Sequence, residues 1–354
     1  MSAGITLHDE PLPPRLAERL ATMLADTRDP AVLGYHALAY QHAMSPILGD
    51  RPRHLIATGD DDAIVGYLPF REREGPAGRA LCALPFFGPN GLILVTGDAP
   101  AGLYARLVER FRAAAEGAVA VALYTPFLAD VDTIAAAFRP DDRVDKFTQY
   151  LDLAAVENWP PKRRADLARA RAAGLSVRDA VRGDLERFVE LYLAGAQAAG
   201  IPLKPIAYLE AMLELALREP RVARWTVAER AADGKMAGFL LTVMGRSSMS
   251  YVMPVAALDE RSNQPVPLLI DESARYARAQ GLRFWNMESS ARWDDPVFKF
   301  KARWGATTGR YAILVAYPRG RAAAEAIPEA DIRAGYPFYF VRPFGTIGGT
   351  PITG

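Results

Sequence analysis

Apolar residues recur along the chain with two periods, and the order in which those periods alternate occurs twice. In the first half, apolar positions three and four apart predict helices over Pro13 to Thr27 and Pro30 to Leu48, the second opened by Asp29 as cap and Pro30 in its first turn. Strand-like runs follow at His54 to Thr58 and Ala63 to Phe70, around the turn Gly59-Asp60-Asp61-Asp62, and again at Arg79 to Leu84. Beyond the loop Pro85 to Gly91 the pattern predicts a helix near Ala101 to Ala115, a strand Ala118 to Tyr124, a short helix near Val131 to Phe138 and a strand Lys146 to Leu153.

Glu157-Asn158-Trp159-Pro160-Pro161 then interrupts the pattern, and Lys162-Arg163-Arg164 opens a basic helix ending near Gly174. Strand Leu175 to Val181, helices Asp184 to Ala199 and Pro205 to Arg218, and strands Arg221 to Arg230, Met236 to Met244 and Ser247 to Val255 come next. Helix Pro265 to Gln280, strand Arg283 to Met287, helix Pro296 to Trp304 and strand Arg310 to Ala316 complete this half. Two helices, a three-strand meander, a helix, a strand, a short helix and a strand therefore occur in both halves, as an internal duplication would produce. The expected domains are 1–155 and 156–318, followed by a tail, 319–354.

Composition agrees with this picture. A chain of 354 residues is long for one hydrophobic core. With half its residues hydrophobic and 23% charged, each half can bury a core. The net charge of +1, from 42 basic and 41 acidic side chains, gives no reason to expect duplex DNA as a partner. Cys82 is the single cysteine and cannot form an internal disulfide; it reads as a small buried hydrophobe. The first residues carry no secretory pattern, and apolar stretches such as Gly238 to Met244 are far shorter than the roughly 20 residues of a membrane span, so the cytoplasm is the expected location. His8, His36, His42 and His54 have no metal-ligand spacing.

The element order, a strand, two helices, three antiparallel strands, then a helix and a strand crossing over in parallel, resembles the N-acetyltransferase-type (GNAT) fold. The resemblance implies an α/β (α+β) protein of two tandem GNAT-like lobes, each a mixed, mostly antiparallel sheet flanked by helices. In the second lobe, Pro267-Leu268-Leu269-Ile270, Ala274, Ala277 and Gly281, then Phe284 to Glu288 and Phe300-Lys301-Ala302-Arg303-Trp304-Gly305, resemble the Fem family of peptidoglycan aminoacyltransferases and their broader acyltransferase relatives. That family carries Phe-Lys, two variable residues, an aromatic and Gly, and this chain has all four fixed positions. In the first lobe Leu84-Pro85-Phe86-Phe87-Gly88-Pro89-Asn90-Gly91 is similar to the family's Pro-Phe and Gly-rich loop.

The resemblance implies an N-acyltransferase that passes an acyl or aminoacyl group from an activated ester or thioester to an amine by direct attack. It implies that Phe300 and Lys301 lie at the acyl-donor site, where a fixed cation holds a phosphate or stabilises an oxyanion. Gly88, Pro89, Asn90 and Gly91 form a strand-end turn whose N–H groups can face a ligand; with Phe300 and Arg261 they are the candidate substrate-binding residues. Tyr251 and Glu288 lie on or beside the strands that splay in this fold. Tyr251 can donate a proton to a leaving oxygen or sulfur, and Glu288 can accept one from the amine. The ligand cleft is expected between the lobes, lined by Gly88 to Gly91, Tyr251, Glu288 and Lys301. Each residue also has a plain structural reading: a turn without a ligand, a solvated lysine, a core tyrosine, a salt-bridged glutamate.

No tightly bound cofactor or metal is expected. The donor is aminoacyl-tRNA, acyl-coenzyme A or an acyl carrier thioester, and the acceptor a small-molecule or peptide amine. Transfer RNA has a candidate contact in the helix bearing Lys162, Arg163, Arg164, Arg169 and Arg171, which otherwise reads as a solvated amphipathic helix. A coenzyme A-dependent GNAT acetyltransferase presents Arg or Gln, two residues, Gly, one residue, and Gly or Ala before the helix that receives pyrophosphate. Arg261-Ser262-Asn263-Gln264-Pro265-Val266 lacks both small residues. The rival readings are such an acetyltransferase and a catalytically inactive ligand-binding homologue. Tyr336-Pro337-Phe338-Tyr339-Phe340 is too aromatic for a free tail, so 319–354 is expected to dock on a lobe or on a partner subunit.

Overall fold

In chain order the elements are β1 (Gly4–Asp9), α1 (Pro14–Asp26), α2 (Leu38–Leu48), β2 (Arg51–Thr58), β3 (Ile64–Gly75), β4 (Gly78–Cys82), β5 (Leu94–Val95), α3 (Leu103–Ala114), β6 (Ala120–Tyr124), α4 (Val131–Phe138) and β7 (Asp142–Asp152). They continue with α5 (Pro161–Ala172), β8 (Leu175–Asp179), α6 (Leu185–Ala199), α7 (Ile206–Arg218), β9 (Ala223–Arg230), β10 (Met236–Met244), β11 (Ser248–Ala256), α8 (Pro265–Ala279), β12 (Phe284–Ser289), α9 (Pro296–Ala302) and β13 (Thr307–Ala316). The chain ends with α10 (Arg321–Glu325), α11 (Glu329–Gly335), β14 (Phe344–Ile347) and β15 (Thr350–Ile352). The structure is a computed structural model and describes residues 3–27, 32–83, 93–97, 99–200, 203–290, 292–293, 295–347 and 350–352.

The chain divides into two compact units that do not follow a single cut. One holds residues 1–32, 48–148 and 309–354, the other residues 33–47 and 149–308. The expected boundary at 155/156 therefore shifts, and two segments change sides. The reason is non-local pairing: β13 pairs antiparallel with β6, Ile313 opposite Tyr124 and Ala316 opposite Val121, although about 190 residues separate them.

In the first unit β1, β2, β3 and β4 are antiparallel neighbours, and β4 lies parallel to β6. Residues alternate across both faces of this sheet. Val121, Leu123, Ala312 and Leu314 face the cluster that holds Leu107, Phe111, Ile134 and Phe138 of α3 and α4. Ala120, Ala122, Tyr124, Ile313 and Val315 face the other way, where Ala324, Ile327, Ile332, Tyr336, Tyr339, Phe340 and Val341 cover them. The C-terminal segment is thus part of this unit's core and not a separate tail. The Tyr336 hydroxyl donates to the Gly78 carbonyl at 2.6 Å and accepts from Ala77 N at 3.0 Å. Tyr339 donates to Asp50 at 2.6 Å, and Asp50 is also paired with the fully buried Arg71.

The second unit has strand order β12-β11-β10-β9-β8, antiparallel except for the parallel pair β11 and β12. One face packs on α8, through Met249, Tyr251, Trp285 and Met287 against Leu268, Leu269, Ala274 and Ala277. The other face receives α6, where Phe188 meets Trp225 edge-on and Phe239 at a tilt, with ring centroids 4.3 and 4.7 Å away. The predicted helix Pro30 to Leu48 is shorter than expected: α2 starts at Leu38, and Gly34–His36 form a 3-10 turn. Packing explains the break. A Cβ at Gly34 would stand 2.5 Å from the Met244 carbonyl oxygen, so only glycine lets this turn lie against the end of β10.

Candidate functional site

The parallel register of β11 and β12 covers Ser248 to Ser250 opposite Phe284 to Asn286, while β11 runs on to Ala256 with a shift of register against β10 between Leu241 and Thr242. Glu288 lies two residues past the last pair, where the strands part. Strand alternation divides the neighbourhood. Trp285 and Met287 enter the core under α8; Asn286 and Glu288 lie on the opposite face with Ser250.

Glu288 is held at both ends. Its backbone has φ +60°, a left-handed conformation that side-chain-bearing residues adopt at a cost of roughly 1–2 kcal/mol. The Glu288 N–H donates to Asn286 Oδ1 at 3.0 Å, and Asn286 Nδ2 donates to Glu288 Oε1 at 3.2 Å. The Tyr35 hydroxyl donates to the same Oε1 at 2.9 Å from a residue 253 positions away.

Lys301 supports this conformation from below. The sequence offered two readings of Lys301, a cation at the acyl-donor site or a solvated lysine; the side chain is 2% exposed, against the solvated one, and donates to the carbonyls of Glu288 at 3.1 Å and Ser289 at 2.7 Å. Two of its three N–H groups thereby pin the turn at the end of β12. Burial lowers its ammonium to about 8, against the pull of the Glu288 and Asp295 carboxylates. Phe300 packs against the core, its ring 6.4 Å from the buried Trp304 ring.

A second lysine belongs to the same cluster. Lys204 precedes α7 and rests over the Tyr208 ring, Nζ 4.7 Å from the centroid. Desolvation lowers it to about 8 and the Glu288 charge acts in the other direction. Lys204 keeps part of its surface in solvent, whereas Lys301 is buried. Burial, reinforced by Glu288, raises both Tyr35 and Tyr208, so both phenols stay protonated and able to donate. Glu288 is therefore the common charge of a constellation containing Tyr35, Lys204, Tyr208 and Lys301.

Of the residues singled out from the sequence, Glu288 and Lys301 come together, with Phe300 packed beside them. Tyr251 does not join them: it lies on the α8 face, its ring 6.0 Å from Trp285, and desolvation alone raises its phenol. Strand alternation next to Ser250 sends it there. Arg261 is exposed on the 3-10 turn Leu258–Asn263 before α8. Gly88, Pro89, Asn90 and Gly91 lie outside the described residues. Sequence reasoning missed Tyr35, Lys204, Tyr208 and Asn286. Asn286 had a local signal, two residues before Glu288 on one strand; Tyr35 had none.

The turn before α8 accounts for the missing pyrophosphate loop. Gln264 caps the helix at φ +59°, and Pro265 and Pro267 remove two backbone N–H groups from its first turn. On α5, Arg163 is 3% exposed and 2.6 Å from Asp166, Arg171 pairs with Asp271 at 3.0 Å, and Arg164 donates to the Trp159 carbonyl at 2.9 Å. These three arginines already have partners within the chain. Among the described residues no group of three or more His, Cys, Asp or Glu side chains could hold a metal ion, and no helix is long and apolar enough to cross a membrane.

Neither a protein-family model nor a curated protein sequence matches the chain. Solved structures do. FemX superposes with a TM-score of 0.66 at 13% identity, over 86% of this chain and 96% of that one. A domain described as the C-terminal part of a lysylphosphatidylglycerol synthetase from Agrobacterium fabrum gives 0.56 at 14% identity, over 91% and 98%. A tandem GNAT protein from the clavulanic acid biosynthesis pathway gives 0.52 at 16% identity, over 89% and 99%. The chain thus has the α/β fold of FemX, built as two tandem GNAT-like units.

Proposed function

We propose that the chain is an N-acyltransferase that joins an acyl or aminoacyl group, delivered as an activated ester or thioester, to an amine. The observation that carries this reading is Glu288: a carboxylate on a left-handed turn where β11 and β12 part, whose backbone carbonyl accepts from the Lys301 ammonium. In the reaction the amine nitrogen attacks the acyl carbon and Glu288 takes the amine proton. The oxyanion is stabilised by backbone N–H groups of the parting strands and by the remaining N–H of Lys301, and the C–O or C–S bond then breaks. The fold shared with FemX, a lysylphosphatidylglycerol synthetase domain and a tandem GNAT protein supports the same reading. Among donors, aminoacyl-tRNA fits better than coenzyme A, because Pro265 and Pro267 deplete the helix N-terminus that would receive a pyrophosphate.

The test supplies purified protein with a mixed pool of radiolabelled aminoacyl-tRNA or with labelled acetyl-coenzyme A, together with a cell extract of small amines and peptides. Label recovered in base-stable amide from the first donor, and lost in Glu288→Gln, is the expected result. No transfer from either donor would exclude the reading, and transfer from acetyl-coenzyme A alone would favour the acetyltransferase.

A further inference from the structure

Residues 33–47 belong to the second unit although the rest of the N-terminal region does not. This segment brings the Tyr35 hydroxyl to Glu288, and its own bonds fix that group closely. Gln41 Nε2 donates to the Tyr35 carbonyl at 2.6 Å, and the Leu33 N–H meets His36 Nδ1 at 3.0 Å, which closes the turn. Tyr40 packs edge-on against the Tyr35 ring with centroids 5.0 Å apart. Gly34 allows the turn to touch β10, since any Cβ there would meet Met244 O at 2.5 Å and Val243 Cγ1 at 2.6 Å. Tyr35 itself is fully buried. A buried phenol so tightly framed, with its hydroxyl 2.9 Å from a carboxylate oxygen, orients that carboxylate and favours its ionised form.

We propose that Tyr35 is the positioning residue of Glu288: the 33–47 segment delivers its hydroxyl to hold the carboxylate ionised and aimed at the amine that enters where β11 and β12 part. This rests on the acyltransfer reading for the identity of the amine, and on geometry alone for the link between Tyr35 and Glu288. The proton balance is closed. The amine proton passes to Glu288 as the C–N bond forms, and from Glu288 to the departing oxygen or sulfur as the C–O or C–S bond breaks. Tyr35 keeps its own proton throughout, consistent with a burial-raised phenol. The groups around Glu288 also include Asn286 on β12, Lys204 before α7, Tyr208 on α7 and Lys301 on α9, with Ser250 on β11 bonded to Asn286 and to the Tyr35 hydroxyl.

The full-length protein, labelled with carbon-13 at glutamate side chains, is titrated by NMR as wild type, Tyr35→Phe and Gly34→Ala. Glu288→Gln identifies the Glu288 carboxyl signal. Removal of a hydrogen bond to the ionised form is expected to raise the Glu288 titration by about one pH unit in Tyr35→Phe, a tenfold change in its proton affinity. Gly34→Ala, which pushes the turn off β10, is expected to do the same with the tyrosine retained. A Tyr35→Phe titration that superimposes on wild type overturns the proposal, whether or not Gly34→Ala shifts it. No substrate is involved, so this outcome is separate from the acyltransfer reading, which fails instead if Glu288→Gln transfers label as well as wild type.

Discussion

Lys301 and Glu288 depend on each other through a few bonds, and that changes what their substitution should do. Lys301→Ala removes the ammonium donor from two part-buried carbonyls, a loss of about 1–3 kcal/mol in stability on top of any loss of turnover. A surface lysine would have cost almost nothing, so a urea midpoint equal to wild type would contradict the packing described. The lowered ammonium adds a pH signature. Lys301 has an ordinary value of 10.5 and a folded value of about 8, so between the two the unfolded chain binds more protons and stability rises with pH. Buried tyrosines with raised phenols act oppositely from about pH 10 upward, which leaves a window of about pH 8 to 10. Lys204, lowered to about 8 as well, adds to the same rise, so Lys301→Met should reduce the rise between urea melts at about pH 7.5 and about pH 9.5 without abolishing it. At Glu288 the backbone is the issue. Glu288→Gly and Glu288→Ala lose the same carboxylate, but only alanine must keep a Cβ at φ +60°. The glycine variant should be the more stable of the two by about 0.5–1 kcal/mol, by urea denaturation. Alanine equal to or above glycine would show that the left-handed backbone does not persist.

Among the elements, periodicity made most of the second unit legible: Met236–Met244 is the strand expected, and helix 265–280 differs by one residue. What periodicity could not supply is the 3-10 turn at Gly34–His36, because its cause is the end of β10 some two hundred residues later. The same limit hid β1, whose apolar positions are only Ile5 and Leu7 and whose partner is β2. At the site, the Phe-Lys pair and Glu288 were visible as local motifs, and Tyr251 was mistaken for their neighbour because one step along a strand reverses the face. The start of α8 yields a prediction at this scale. With two prolines in its first turn, coenzyme A at about 1 mM should leave the melting temperature unchanged. A rise of several degrees would mean that a pyrophosphate is held in spite of Pro265 and Pro267.

At the scale of the whole chain, the repeated order of elements was readable and the exchange of segments was not. Residues 309–354 complete the first unit and 33–47 complete the second, so neither half of the sequence is a unit by itself. A chain ending at 318 should therefore lose cooperative unfolding and aggregate, since Tyr336, Tyr339, Phe340 and Val341 leave one sheet face bare; a soluble truncation with the wild-type melting temperature would refute that role. The exchange also places Tyr35 beside Glu288, and the central claim is that this second-unit cluster performs acyl transfer with Glu288 as the base. The most direct test compares wild type and Glu288→Gln, both checked for equal folding, for the rate at which label from aminoacyl-tRNA enters base-stable amide. The account predicts transfer by wild type and a fall on the order of a hundredfold or more in Glu288→Gln, as expected when a general base is removed; equal rates in the two proteins would contradict it.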